Sequence, residues 1–154
     1  MASVSNVTLS LGSGPSADTT NVTVGGTLTF DASEVGKSYR MEIVVMGEDL
    51  AGDNLPSTDT GADDSLYTFK WGSLFLMKPY KQITVAAAGS QPFTETRAIG
   101  STTLDEDSGK VYITDADINT PLYMPRKDEV YARVTVTSVP ATARSSTVVA
   151  GIGV

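Results

Sequence analysis

The chain has 154 residues and a formal net charge of −7, from 18 acidic and 11 basic residues, and it contains no histidine and no cysteine. The length suits one domain, residues 1–154. The composition excludes disulfides, thiolate metal sites and cysteine- or histidine-dependent catalysis, and the acidic balance repels nucleic acid. We therefore expect a protein that is not an enzyme and does not bind nucleic acid.

Short segments rich in valine and threonine alternate along the chain with Gly, Pro, Asp and Ser turns, a pattern typical of strands. Residues 130–137 give the clearest case, because Val130, Val134 and Val136 share one parity and the polar residues share the other. The predicted strands are 6–11, 21–24, 27–30, 39–46, 66–71, 74–77, 81–86, 95–99, 110–114, 130–137 and 146–152. These predict an all-β protein, an antiparallel β-sandwich of immunoglobulin-like or jelly-roll type.

Helical periodicity is almost absent. The spacing of Asp31 and Glu34 is typical of a capping box, and Gly36 follows within about a turn, so we predict one helical turn between two strands. Both termini, 1–14 and 143–154, are predicted arms that leave the sandwich and pair with a neighbour.

The segment 66–80 combines aromatic and apolar residues in two patterns. Its aromatic residues at 67, 69 and 71 share one parity, whereas 74–77 is apolar at every position, so something must cover both sides. Three interpretations stay open: a central strand pair in the core, a protein interface, and a platform for stacking sugars. The interface candidates are Tyr67, Phe69, Trp71, Leu74, Phe75, Leu76, Met77 and Tyr80.

Two acidic stretches offer the only plausible ligand sets for a metal. Asp105 and Asp107 precede a glycine, and Asp115 and Asp117 share one parity, an arrangement that suits oxygen ligands around calcium. The alternative interpretation is a solvated acidic turn between strands. No other cofactor is expected.

The first residues contain neither a basic stretch nor an apolar stretch, and no run of about 18 apolar residues occurs in the chain. We therefore expect no signal peptide and no membrane partner, and synthesis in the cytoplasm.

Residues 128–136, with an acidic residue before a tyrosine-containing strand, resemble the penultimate strand of immunoglobulin-like domains, although Arg133 stands where those domains carry a cysteine. The whole chain resembles the small capsid-decoration and accessory virion proteins of tailed bacteriophages, which are cysteine-poor, Ser/Thr/Ala/Val-rich β-domains with extended termini. That resemblance implies a location in the virion and many copies docked on a larger protein shell and on one another.

Two functional hypotheses follow from these observations. The first is a non-catalytic structural or assembly protein that acts through protein contacts, as a virion component. The second is a carbohydrate- or cell-surface-binding module in which Trp71 and Tyr67 stack on sugar rings and the loops at 105–119 hold calcium.

Overall fold

A computed structural model describes residues 1–47, 64–105, 110–113, 122–125 and 130–139 of the protein. The strands are β1 (Ser3–Ser13), β2 (Thr19–Phe30), β3 (Ser38–Gly47), β4 (Asp64–Thr68), β5 (Lys81–Thr84), β6 (Gly89–Gly100), β7 (Lys110–Ile113), β8 (Leu122–Pro125) and β9 (Val130–Ser138). A 3-10 turn (Ala32–Glu34) joins β2 to β3, and a single helical turn, α1 (Ser101–Leu104), follows β6. The described structure is an all-β sandwich of antiparallel sheets, as predicted.

The first sheet has the order β1-β2-β6, with β2 in the centre. β1 and β2 form a hairpin that is closed by the hydrogen bond from the Gly14 N–H to the Thr19 carbonyl, 3.1 Å. β6 pairs with β2 over its whole length, from Thr19 opposite Gly100 to Phe30 opposite Gly89. Long antiparallel pairing of this kind satisfies the backbone of the central strand on both edges.

The second sheet is built around β3. β9 pairs with one edge of β3 from Tyr39 opposite Ser138 to Gly47 opposite Val130. Two strands share the other edge of β3: β5 pairs with the beginning of β3, and β4 pairs with its end. β7 and β8 pair with each other as a separate two-stranded sheet.

The core lies between the two central strands. Alternate residues of β2 and β3 point inward, as the two-residue period of a strand requires. Buried apolar side chains from these strands are Val22, Val24, Leu28, Phe30, Tyr39, Met41, Ile43 and Val45. Val130, Val134 and Val136 of β9 pack against this cluster, which confirms the predicted inward face of that strand.

β2 corrects the sequence analysis, which placed a break between 21–24 and 27–30. Gly25 and Gly26 continue the strand instead of turning it. A Cβ atom on Gly26 would lie 2.7 Å from the Phe93 ring, so glycine at this position makes room for an aromatic ring on the neighbouring strand.

The predicted helical turn is confirmed at Ala32–Glu34. The buried Glu34 carboxylate accepts a hydrogen bond from the Asp31 N–H at 2.7 Å and another from the Tyr39 hydroxyl at 2.5 Å. Gly36 then takes a positive φ of 84°, which lets the chain enter β3.

Residues 1–14, predicted as an arm, contain β1, which pairs with β2 of the same chain. A role for this segment in pairing with a neighbour stays a prediction. The predicted arm at 143–154 and the predicted strand at 146–152 lie outside the described residues.

Candidate functional site

Residues 72–77 form a loop, called here the apolar loop, that projects beyond the second sheet. Trp71 and Lys78 close it with two reciprocal backbone hydrogen bonds of 2.9 and 2.8 Å. Inside the loop the Leu76 N–H donates to the Ser73 carbonyl at 2.8 Å. Its backbone is therefore held by contacts of its own.

The side chains at the tip of the apolar loop are exposed. The exposed fractions are 85% for Leu74, 92% for Phe75, 73% for Leu76 and 50% for Met77. The predicted strand at 74–77, and with it the interpretation of a central strand pair, is wrong for these residues. Contiguous exposed apolar patches are common at protein or membrane interaction sites.

Gly72 is the local reason why the chain leaves the strand. Its φ is 122°, and an added Cβ would lie 2.5 Å from the Leu76 carbonyl oxygen. Only glycine adopts this conformation without strain while allowing such a close approach. The loop therefore turns back at Gly72, and its apolar run never enters a sheet.

The aromatic residues before the loop anchor it to the core. Phe69 is fully buried, and its N–H donates to the Ile43 carbonyl of β3 at 2.9 Å. Its ring lies 5.9 Å from the Tyr67 ring and 6.2 Å from the Trp71 ring, and both of these are partly buried. Phe69 thus packs against Trp71 at the start of the loop. Because its side chain is fully buried, Phe69 is not an interface residue.

Glu95 of β6 ties the base of the loop to the first sheet. Its carboxylate accepts hydrogen bonds from Trp71 Nε1 at 3.2 Å and from Lys81 Nζ at 2.5 Å, and the Arg97 guanidinium lies 3.5 Å away. Partial burial pushes the pKa of Glu95 up, but the contacts with Lys81, Trp71 and Arg97 outweigh it and hold the pKa below its ordinary value.

Arg97 completes this base. Its guanidinium lies 5.2 Å from the Phe69 ring centre and 5.3 Å from the Trp71 ring centre, within the range of cation–π attraction. It also donates to the Lys70 carbonyl at 3.0 Å. The apolar loop therefore stands on a base that reaches both sheets.

Cationic side chains lie at the base of the loop although the chain is acidic overall. Lys70 and Lys78 flank the loop in the chain, and both are exposed. Arg40 lies 4.5 Å and Lys78 lies 5.8 Å from the centre of the Tyr80 ring. Arg40, Lys70 and Lys78 are called here the positive rim.

A groove of about 500 Å³ runs beside the loop. Its apolar walls are Trp71, Leu76 and Tyr80, and Lys78 and Lys81 line its polar side. The exposed apolar tip of the loop therefore lies next to a groove with apolar and cationic walls.

Of the four predicted calcium ligands, Asp105 alone lies within the described residues. Asp105 is exposed directly after α1, while Asp107, Asp115 and Asp117 lie outside the described residues. Within the described ranges, no group of three or more Asp, Glu, His or Cys side chains is placed to hold a metal ion. Calcium binding stays a prediction.

Sequence reasoning singled out the segment that contains the loop and its aromatic anchors, although it predicted a strand at 74–77, and it missed Arg40, Lys78, Glu95 and Arg97. The signal available was weak: Glu95 and Arg97 share one parity in β6, which places both on one face of the strand. Their contact with Trp71 depends on how the two sheets pack, and no local pattern encodes that.

No protein-family model, curated protein sequence or solved structure shows significant similarity to this chain. None of the described helices has the length and apolarity needed to cross a membrane.

Proposed function

We propose that this protein is a non-catalytic structural protein that docks on a larger protein assembly through the apolar loop, as a capsid-decoration or accessory component of a phage virion. The observation that carries the proposal is the exposure of Leu74, Phe75, Leu76 and Met77 in one loop. Binding contacts alone explain such a surface, and no reaction is assigned to it.

The tip supplies the free energy of docking. Transfer of a large apolar side chain from water into a partner's recess contributes roughly 1.5–3 kcal/mol. Leu74 and Phe75, the two most exposed side chains of the tip, are therefore the expected hot spots. The anchors at Trp71 and Glu95 hold the loop before it binds, which lowers the entropy that docking costs.

The rim specifies the partner's charge. Lys70 and Lys78 flank the loop and Arg40 contacts Tyr80 next to it, so we expect the complementary surface to be an apolar recess bordered by carboxylates. Two loops from two copies would bring these cations together, which favours a different protein, the shell, as the loop's partner. Docking of this kind weakens as salt screens the rim.

The assignment to a virion is supported by the sequence features already described. The chain is a cysteine-free, histidine-free β-sandwich rich in serine, threonine and valine, and it resembles small phage decoration proteins in these respects.

The carbohydrate-binding alternative requires ring faces that are open to a sugar. Trp71 lines the groove beside the loop but is partly buried, with Phe69 and Arg97 as neighbours, and the partly buried Tyr67 ring lies edge-on to Phe69. The most exposed side chains are Leu74 and Phe75, which suit protein contacts better than sugar stacking. We therefore favour docking on protein.

Photo-crosslinking tests the proposal. A photoreactive phenylalanine analogue replaces Phe75, and a control carries it at Thr135, which is exposed on β9 of the second sheet. The chains that carry the analogue are made in the cells in which the virus particles assemble. The particles are purified on a density gradient before irradiation. The expected result is an adduct from position 75 to the protein that forms the shell, next to carboxylate residues, and a much weaker adduct from position 135.

Three outcomes would overturn the proposal. These are a position-75 adduct only with lipid or glycan, equal adducts from both positions, and a chain that stays in the light fractions with no adduct. A crosslink between two copies of the loop would overturn the assignment of the loop's partner.

A further inference from the structure

β1 is an outer strand of the first sheet, and among the described residues no strand is hydrogen-bonded to its second edge. An unpaired strand edge presents a row of N–H and C=O groups that can pair with another strand. Folded proteins usually guard such edges with charged residues or proline.

The other described outer strands carry such guards. These are Pro92, Glu95 and Arg97 in β6, Arg133 in β9, Asp64 in β4 and Lys81 in β5. β1 has the sequence SVSNVTLSLGS, with no charged residue and no proline. It is the one unguarded outer strand of the two main sheets in the described part of the chain.

The second half of β1 is the part that is free to pair. The pairing register with β2 shifts between Ser5 and Thr8, and Asn6 there has a φ of 52°. The chain before this irregularity lies close to β9, where Ala2 and Val136 line one pocket. From Thr8 to Ser13 the register with β2 is regular, so this stretch presents a straight outer edge.

We propose that residues 9–13 of β1 pair antiparallel with the same residues of a second copy around a two-fold axis at Leu11. The pairing joins two three-stranded sheets into one six-stranded sheet. Leu11, which is 53% exposed, meets its counterpart beside the axis and is covered by it.

The lack of charge on β1 favours a second copy of the chain as the partner of its free edge. Two copies of a chain with a net charge of −7 repel each other, so self-association is favoured where the contact contains no charge. In a two-fold contact each residue meets the same segment of its partner, and like charges would face one another. β1 meets this condition because it is uncharged throughout. The contact uses no residue of the apolar loop, so neither proposal depends on the other.

Cysteine crosslinking tests this geometry, because the natural chain contains no cysteine. A Leu11→Cys chain places two thiols beside the axis, where directly opposed strand residues have Cα atoms about 4.5–5.5 Å apart, within disulfide range. Val7→Cys, in the irregular part of the same strand and 38% exposed, is the matched control. Mild oxidation of dilute protein is expected to give a covalent dimer with Leu11→Cys and little with Val7→Cys.

Sedimentation velocity of cysteine-free chains gives a second readout. The natural chain is expected to show a monomer–dimer equilibrium, and Leu11→Lys is expected to weaken it by at least about tenfold, equivalent to about 1.4 kcal/mol. Val7→Lys should leave the equilibrium unchanged, and melting curves verify that both variants fold.

The proposal is overturned if the natural chain stays monomeric over the whole concentration series, since the edge then serves a different partner or none. It is also overturned if Leu11→Lys dimerises as well as the natural chain, or if both cysteine variants crosslink equally. A dimer lost on Leu74→Ser but kept on Leu11→Lys would place self-association at the loop.

Discussion

The indole N–H of Trp71 donates a hydrogen bond to the Glu95 carboxylate, 3.2 Å away, and so joins the base of the apolar loop to β6. The carboxylate also holds Lys81, and Arg97 lies beside it. These contacts hold the base of the exposed apolar loop in one position.

Glu95→Gln is expected to destabilise the protein at neutral pH by about 1 kcal/mol, because it removes a charged acceptor from Trp71 and Lys81. The folded-state pKa of Glu95 lies below its ordinary value of 4.5, so its stabilising contribution is present above that value and is lost as the pH falls through the folded pKa. Urea unfolding between pH 7 and pH 3 measures this. The difference between the natural chain and the variant should shrink toward acid, and Glu42→Gln, at an exposed position, is the control.

Phe69→Ala and Phe75→Ala separate the anchor from the tip. Phe69 is fully buried, so its truncation is expected to cost about 3–5 kcal/mol of unfolding free energy. Phe75 is 92% exposed, so its truncation should change stability by less than about 0.5 kcal/mol. Denaturant unfolding of both variants measures this, and comparable losses would mean that Phe75 packs within the fold.

Gly72→Ala is expected to disturb the apolar loop. The positive φ and the contact of the new Cβ with the Leu76 carbonyl oxygen cost about 1–3 kcal/mol locally. Gly12→Ala is the matched control, because open space surrounds that position. Hydrogen exchange of the Lys78 amide reports the effect. It should speed up in Gly72→Ala alone, and equal exchange in the two variants would contradict the assigned loop conformation.

Tyr39→Phe is expected to raise the pKa of Glu34 toward its ordinary value of 4.5. The hydrogen bond from the Tyr39 hydroxyl is the largest cause of the lowered pKa, and the Asp31 N–H adds to it. The same hydrogen bond raises the pKa of Tyr39. Carbon-detected NMR titration of the Glu34 carboxyl measures the change, and an unmoved titration would show that the hydrogen bond is absent in solution.

The Glu34 and Glu95 carboxylates make the free energy of unfolding depend on pH. Both folded pKa values lie below the ordinary value of 4.5, so both contributions are present above that pH and are lost as the pH falls below it. The raised pKa of Tyr39 acts at the other end, where stability is lost as the pH rises through the folded pKa.

Local patterns predicted the sandwich because they are encoded residue by residue. The alternation of Val130, Val134 and Val136 and the spacing of Asp31 and Glu34 depend only on neighbours in the chain. The strand predicted at 74–77 was wrong because an apolar run by itself favours a buried strand. The positive φ at Gly72, which turns this run outward, becomes visible only in the folded backbone.

The base of the loop was beyond prediction for a related reason. Trp71 and Glu95 are 24 residues apart, and Trp71 follows β4 of the second sheet whereas Glu95 lies in β6 of the first, so their contact depends on how the sheets pack. The guard residues of β6 and their absence from β1 were readable in the sequence. Which strands are outer strands was not, since strand order is set by long-range pairing.

Docking through the apolar loop is tested most directly by co-sedimentation on a density gradient. The chain is sedimented with virus particles purified from the cells that produce it. The natural chain is compared with a Leu74→Ser, Phe75→Ser double variant whose melting curve matches it. We expect the natural chain to migrate with the particles and the double variant to stay in the light fractions. Migration of both chains with the particles, or of neither, would contradict docking through the loop.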